Sequence, residues 1–154
     1  MHQYINLFAA PISALTALVR ILSFMHFDLY SDFIIANQVT GWGTNENNLA
    51  SDELMMAHLP VQSDQTCLEA YQKRDSSPNL NAGKFCAGNP KGVTSACDGD
   101  SGSPLVFYER KSDRHILEGI VSFGLAGDCS VPEKYTVFAK VSNFMEWILQ
   151  NWRS

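Results

Sequence analysis

No C-x-x-C pair, no internal repeat and no run of like charge longer than three residues occur in this 154-residue chain. The missing close cysteine pair argues against a zinc site, since such sites draw ligands from short spacings. No other metal or cofactor signature stands out. The missing basic runs, with a formal net charge of -5, leave no stripe for nucleic acid and weigh against anionic membrane surfaces. Apolar residues at 45% and charged residues at 18% give an ordinary globular balance, without the signature of disorder. The length suits one core and falls short of two complete β-barrels.

Cysteine is also absent from the first 66 residues; all four, Cys67, Cys86, Cys97 and Cys129, follow. An even count suggests two bridges and an oxidising compartment. Spacing alone leaves three connectivities open.

The composition divides the chain near residue 37, into an apolar segment (1–36) and a folded remainder (37–154). Ile5 to Phe27 is almost uninterrupted apolar sequence, broken by Pro11 and Arg20. Three readings compete for it: a membrane anchor, a signal peptide, and a segment packed on the fold as a remnant of a neighbouring barrel. The proline and arginine weigh against an anchor over 5–27. The uncharged start Met1-His2-Gln3-Tyr4 weighs against a signal peptide.

Past residue 37, short apolar strands alternate with turns. Val39–Thr44 precedes the polar Asn45-Glu46-Asn47-Asn48. Leu54–Val61 is strand-like up to Pro60, and Lys73–Asn81 is a polar loop. Pro104–Tyr108 and Ile116–Phe123, joined by the charged run Glu109–Arg114, read as a hairpin of buried strands. Thr136–Val141 is a further strand. The pattern predicts an all-β barrel or sandwich. Asn143 with Glu146 fits a capping box, and Phe144, Trp147, Ile148 and Trp152 share one helical face, predicting a C-terminal helix docked on the sheet.

Gly99-Asp100-Ser101-Gly102-Ser103-Pro104 carries the chemistry. Flanking glycines let the backbone turn tightly, expose a serine hydroxyl and aim neighbouring amides at one point. Alone, the motif is equally a plain turn. It sits, however, in an ordered set: Val39-Thr40-Gly41-Trp42-Gly43-Thr44, Phe85-Cys86-Ala87-Gly88, Ala96-Cys97-Asp98, Gly119-Ile120-Val121-Ser122-Phe123-Gly124 and Val137-Phe138-Ala139-Lys140-Val141. In order and spacing this set resembles the chymotrypsin/trypsin-like serine protease family, on the side of its clotting and complement cascades.

The resemblance implies an all-β fold: the second six-stranded antiparallel β-barrel of a trypsin-like protease, with a C-terminal α-helix. It implies Ser101 as nucleophile and the amides of Gly99 and Ser101 as oxyanion hole. Ser95 matches the floor of the specificity pocket, and Thr136 a wall position often held by glycine. Ser122, Phe123 and Gly124 match the edge that pairs with substrate backbone. Asp100 matches the carboxylate that, in active relatives, turns inward onto a freed amino terminus. The implied bridges are Cys67–Cys86 and Cys97–Cys129. A third bridge common in the family falls on Asn37 and Phe107, both non-cysteine here.

The resemblance also implies a secreted protein without cofactor, acting on protein or peptide substrates or on a partner in a protease cascade. A serine needs a base and an orienting carboxylate. In the family both come from the first barrel. None of the four histidines, His2, His26, His58 and His115, stands in the family's Ala-Ala-His-Cys setting. Leu15 stands where a faint echo in Thr16–Arg20 would place the aspartate, and Asp28 and Asp32 are poorly positioned. Two expectations follow. Either the chain is part of a serine endopeptidase and inactive by itself, or it is a pseudoprotease, a binding or regulatory module.

Overall fold

β-branched and aromatic stretches become strands where they can bury one face. The computed structural model describes residues 34–45, 47, 49–91, 94–125 and 131–152. The apolar segment 5–27, Cys129, His2, His26, Asp28 and Asp32 lie outside them. The strands are β1 (Ile34–Gly41), β2 (Met55–Ala57), β3 (Val61–Gln62), β4 (Lys84–Ala87), β5 (Pro104–Glu109), β6 (Arg114–Gly124) and β7 (Thr136–Lys140). All pairings are antiparallel, in the order β2-β1-β5-β6-β7-β4-β3. β1 starts at Ile34, a little before the compositional boundary at 37.

The first and last strands of this order are two halves of one segment, Met55–Gln62, interrupted at His58-Leu59-Pro60. Proline cannot donate to a ladder, so pairing switches there from β1 to β4. The sheet therefore curls until its ends meet in a single broken strand, which makes seven strands of the expected six. Leu59, fully buried, plugs the junction. Asn37 Nδ2 donates to its carbonyl and Gly88 N donates to Pro60 O at 3.0 Å, replacing ladder bonds at the break.

Inside the curl lie Val39, Leu59, Ala87, Ala96, Leu105, Val121 and Phe138. Phe85 stacks on Phe138 with centroids 5.4 Å apart. That stacking needs Gly119, where a Cβ would come within 2.6 Å of the Phe85 ring. The hairpin is present as expected: β5 and β6 pair from Pro104↔Ile120 to Glu109↔Arg114.

A second apolar layer lies outside the curl. Helix α1 (Asp64–Gln72), absent from the sequence reading, buries Cys67, Ala70 and Tyr71 against Cys86, Tyr135 and Val137. The Cys67–Cys86 disulfide ties it to β4, as the resemblance implied. Cys97 is also disulfide-bonded; its implied partner, Cys129, lies outside the described residues.

The C-terminal helix differs from expectation. Val141–Phe144 forms a 3-10 turn, and α2 (Met145–Asn151) starts only afterwards, with Phe144 at its N-cap and no side-chain cap. The Asn143 capping box does not form. The tighter winding of the 3-10 turn shifts the phase of the apolar stripe. α2 buries no residue, and Phe144, Trp147 and Trp152 are 48%, 65% and 63% exposed.

Candidate active site

The turn at Ser101 is built on two glycines in the left-handed region, Gly99 at φ +94° and Gly102 at φ +85°. Side chains rarely adopt that backbone, which accounts for both glycines. Asp100 N donates to Cys97 O at 3.0 Å and Ser103 N to Asp100 O at 2.9 Å, closing consecutive turns. Gly102 N donates to Val121 O, and Val121 N to Ser103 O, each at 2.9 Å, docking the motif on β6. Ser101 is left exposed at the apex.

Asp100 points away from solvent into a backbone cradle. Its Oδ1 accepts from Gly43 N at 2.8 Å and its Oδ2 from Cys97 N at 2.9 Å. The carboxylate thus satisfies its charge with two amide donors. The cradle exists because Gly41 and Gly43 lack side chains: a Cβ would stand 2.0 Å from Asp100 Oδ1 at Gly41 and 2.5 Å from its Cγ at Gly43. Thr44 closes the contact, its N donating to Asp98 O and its Oγ1 to Cys97 Sγ, both at 2.8 Å. Gly41 and Gly43 are therefore structural members of the site. Two glycines spaced one residue apart at the end of β1, a mark of close backbone approach, were their signal.

Behind the motif, Ala96 N donates to Thr136 Oγ1 at 3.2 Å in a buried setting. Thr136 faces Gly124 across the β6–β7 ladder. Thr136 thereby stands between Gly124 of β6 and the Ser95-Ala96 segment that leads into the Ser101 turn. Tyr71 of α1 reaches β7 from outside the curl, its hydroxyl donating to Tyr135 O, next to Thr136, at 3.0 Å. Burial pushes the Tyr71 phenol up to about 12. Gly88 makes room for Tyr135, whose ring a Cβ there would approach to 2.6 Å.

Ser122 is the extra residue of a bulge, since β6 advances from Val121 to Phe123 while β7 advances from Phe138 to Val137. Ser122, Phe123 and Gly124 are all exposed. Both described histidines are engaged elsewhere: His58 Nδ1 lies 3.1 Å from Asn37 O, and the His115 ring is 5.2 Å from that of Tyr108. Among the described residues no imidazole or carboxylate hydrogen-bonds the Ser101 hydroxyl, and no cluster of three metal-ligating side chains occurs. No described helix is long and apolar enough to cross a membrane.

A protein-family profile described as Trypsin matches residues 35–148. The chain belongs to the trypsin family of serine proteases. Two relatives are 46% identical over 114 residues, 73% of this chain: "Limulus clotting factor C" of Carcinoscorpius rotundicauda and "Clotting factor C" of Tachypleus tridentatus. The chain spans only 11% of the length of either. The trypsin-family register explains one further pair. Asn37 stands directly opposite Phe107 on β1 and β5, where the family resemblance placed a third bridge.

Proposed function

We propose that this chain is the nucleophile-bearing half of a secreted serine endopeptidase acting on protein substrates. Ser101 is the nucleophile, and the Gly99 and Ser101 amides form the oxyanion hole. In that reaction Ser101 Oγ attacks the scissile carbonyl carbon while its proton passes to a base. The carbonyl oxygen gathers negative charge against the amides, and the amine leaves with the proton. Water then attacks the acyl ester, its proton again taken by the base, and frees the serine. Base and orienting carboxylate come from outside the described residues. The observation that carries the reading is the Asp100 cradle, which holds an exposed serine at the end of the exposed Ser122–Gly124 segment of β6.

Substrate lies along Ser122–Gly124, with one side chain entering between Ser95, Thr136 and Gly124. Ser95 supplies no charge, so a buried Arg or Lys would be uncompensated. Thr136 fills space that a glycine would leave open. The pocket therefore takes neutral side chains, aromatic or small-to-medium. A place in a protease cascade is the reading that the likeness to clotting factor C supports, and the Cys67–Cys86 bond supports secretion.

The 154-residue chain does not itself hydrolyse peptides at a family rate, because no described base reaches Ser101. The same observation favours a second reading, a non-catalytic binding module. A fluorophosphonate probe and a peptide-ester panel test the proposal on the oxidised chain. Slow labelling of Ser101 is expected, becoming fast when the family's histidine- and aspartate-bearing barrel is joined ahead of residue 34. Fast stoichiometric labelling of the chain alone, abolished by Ser101→Ala, would overturn the claim of inactivity. Continued slow labelling of a folded two-barrel protein would favour the binding module.

A further inference from the structure

Lys84 lies beside the exposed strand edge, although the sequence drew no attention to it. The β5–β6 ladder ends at Pro104↔Ile120, and Val121 is the last β6 residue bonded to the Ser101 turn. Beyond it, β7 pairs one side of Phe123 and Gly124, while among the described residues no strand lies along the other. Such an edge accepts an extended peptide by strand addition.

The bulge at Ser122 decides which side chains line that edge. Val121 faces the core with Phe138, so regular alternation would send Phe123 inward as well. The extra residue turns Phe123 outward, across from Val137 of the outer layer, and returns Gly124 to the inner face across from Thr136. Lys84, on the outer face of β4, reaches across β7 and holds its Nζ 5.4 Å from the Phe123 ring centroid. The ammonium also donates to Asn79 O at 3.2 Å. Ring and carbonyl hold the charge in place, while an ammonium has three donors to offer.

Resting on the substrate path proposed above, we infer that Lys84 is a specificity-determining residue that selects an acidic side chain in the peptide bound along Ser122–Gly124. A peptide strand alternates faces. The acidic residue therefore stands one or three positions from the residue entering the Gly124–Thr136 side, because only those positions share the face of Phe123. The formal charge of the whole chain, -5, opposes an acidic ligand only at long range. At ordinary ionic strength a neighbouring ammonium dominates over charges more than about 10 Å away.

The test is titration of the isotope-labelled 154-residue chain with blocked hexapeptides, followed by amide NMR. The peptides are identical except for Glu, Gln or Lys at those positions. All should shift the amides of Ser122–Gly124, with the Glu peptide binding about threefold to fivefold tighter than the Gln peptide. The margin should shrink in high salt, vanish in Lys84→Gln and reverse toward the Lys peptide in Lys84→Glu. Spectral dispersion reports whether each variant is folded. Phe123→Leu, which keeps the edge but removes the ring beneath the ammonium, should reduce the Glu preference without abolishing binding. Equal affinities with shifts at Ser122–Gly124 would overturn the role of Lys84 and leave the edge intact. Absence of shifts there with every peptide would overturn both it and the substrate path.

Discussion

α1 and α2 are of similar length, nine and seven residues, and each carries apolar side chains, yet they relate to the barrel in opposite ways. α1 is capped by Ser63, whose Oγ accepts from Thr66 N at 3.1 Å. It buries three residues and is bonded covalently to β4. Arg74, just past its end, donates to Pro132 O at 2.9 Å and so fastens the loop leading to Tyr135. Through Tyr71, Tyr135 and Thr136 the helix stands behind the wall of the candidate specificity pocket. α2 has no side-chain N-cap and no fully buried residue. An apolar stripe stabilises a helix only where a complementary surface meets it.

The sharpest way to break the contrast is to remove the covalent tie. Cys67→Ser with Cys86→Ser should cost about 2–4 kcal/mol, by freeing the unfolded chain from a closed loop. The loss would be read from denaturant unfolding of the oxidised protein. An unchanged midpoint would mean that packing alone holds α1.

Tyr71→Phe comes next. It deletes the buried bond to Tyr135 O and should cost about 1–2 kcal/mol. The pH dependence gives a second reading. Burial raises the folded-state phenol from 10.0 to about 12, so folding favours the protonated form. That contribution is complete below the ordinary tyrosine value and is lost as pH rises from 10.0 through about 12. The stability difference between the chain and Tyr71→Phe should therefore narrow across this window. A constant difference would show that Tyr71 does not titrate behind the wall.

Ser63→Ala tests the cap alone. Loss of the bond to Thr66 N should cost about 1 kcal/mol and raise amide exchange at Thr66, with little change at Tyr71. Uniform acceleration along α1 would instead mean that the helix opens as one unit.

The two helices also mark the limits of what could be read in the residues. Pro104–Tyr108 and Ile116–Phe123 were legible as a hairpin because alternation and a charged turn are local signals. Gly99-Asp100-Ser101-Gly102 was legible as a tight turn because glycine has few other reasons to flank a serine so closely. α1 was missed because its apolar positions are few, and Cys67, Ala70 and Tyr71 gain meaning only from the disulfide and from Tyr135. The Gly41 and Gly43 cradle depends on a carboxylate 57 residues away from Gly43. The bulge that turns Phe123 outward is likewise a property of two strands together. α2 failed in the opposite direction: its stripe was plain, but the 3-10 turn ahead of it changed its phase, and none of its residues is fully buried.

The smallest expected effect completes the comparison. Trp147→Gln with Trp152→Gln should change unfolding free energy by less than about 0.5 kcal/mol, because neither indole is buried against the barrel. Large apolar side chains at 65% and 63% exposure keep most of their surface in water, so folding adds little to their burial. The same exposure favours contact between molecules, so the double variant should associate less at high concentration than the unaltered chain. Sedimentation and denaturant unfolding measure the two quantities separately. A stability loss comparable to that of Tyr71→Phe would place these tryptophans against a surface in solution, and α2 would then be anchored as α1 is. An unchanged midpoint with reduced association would confine their role to contact between molecules.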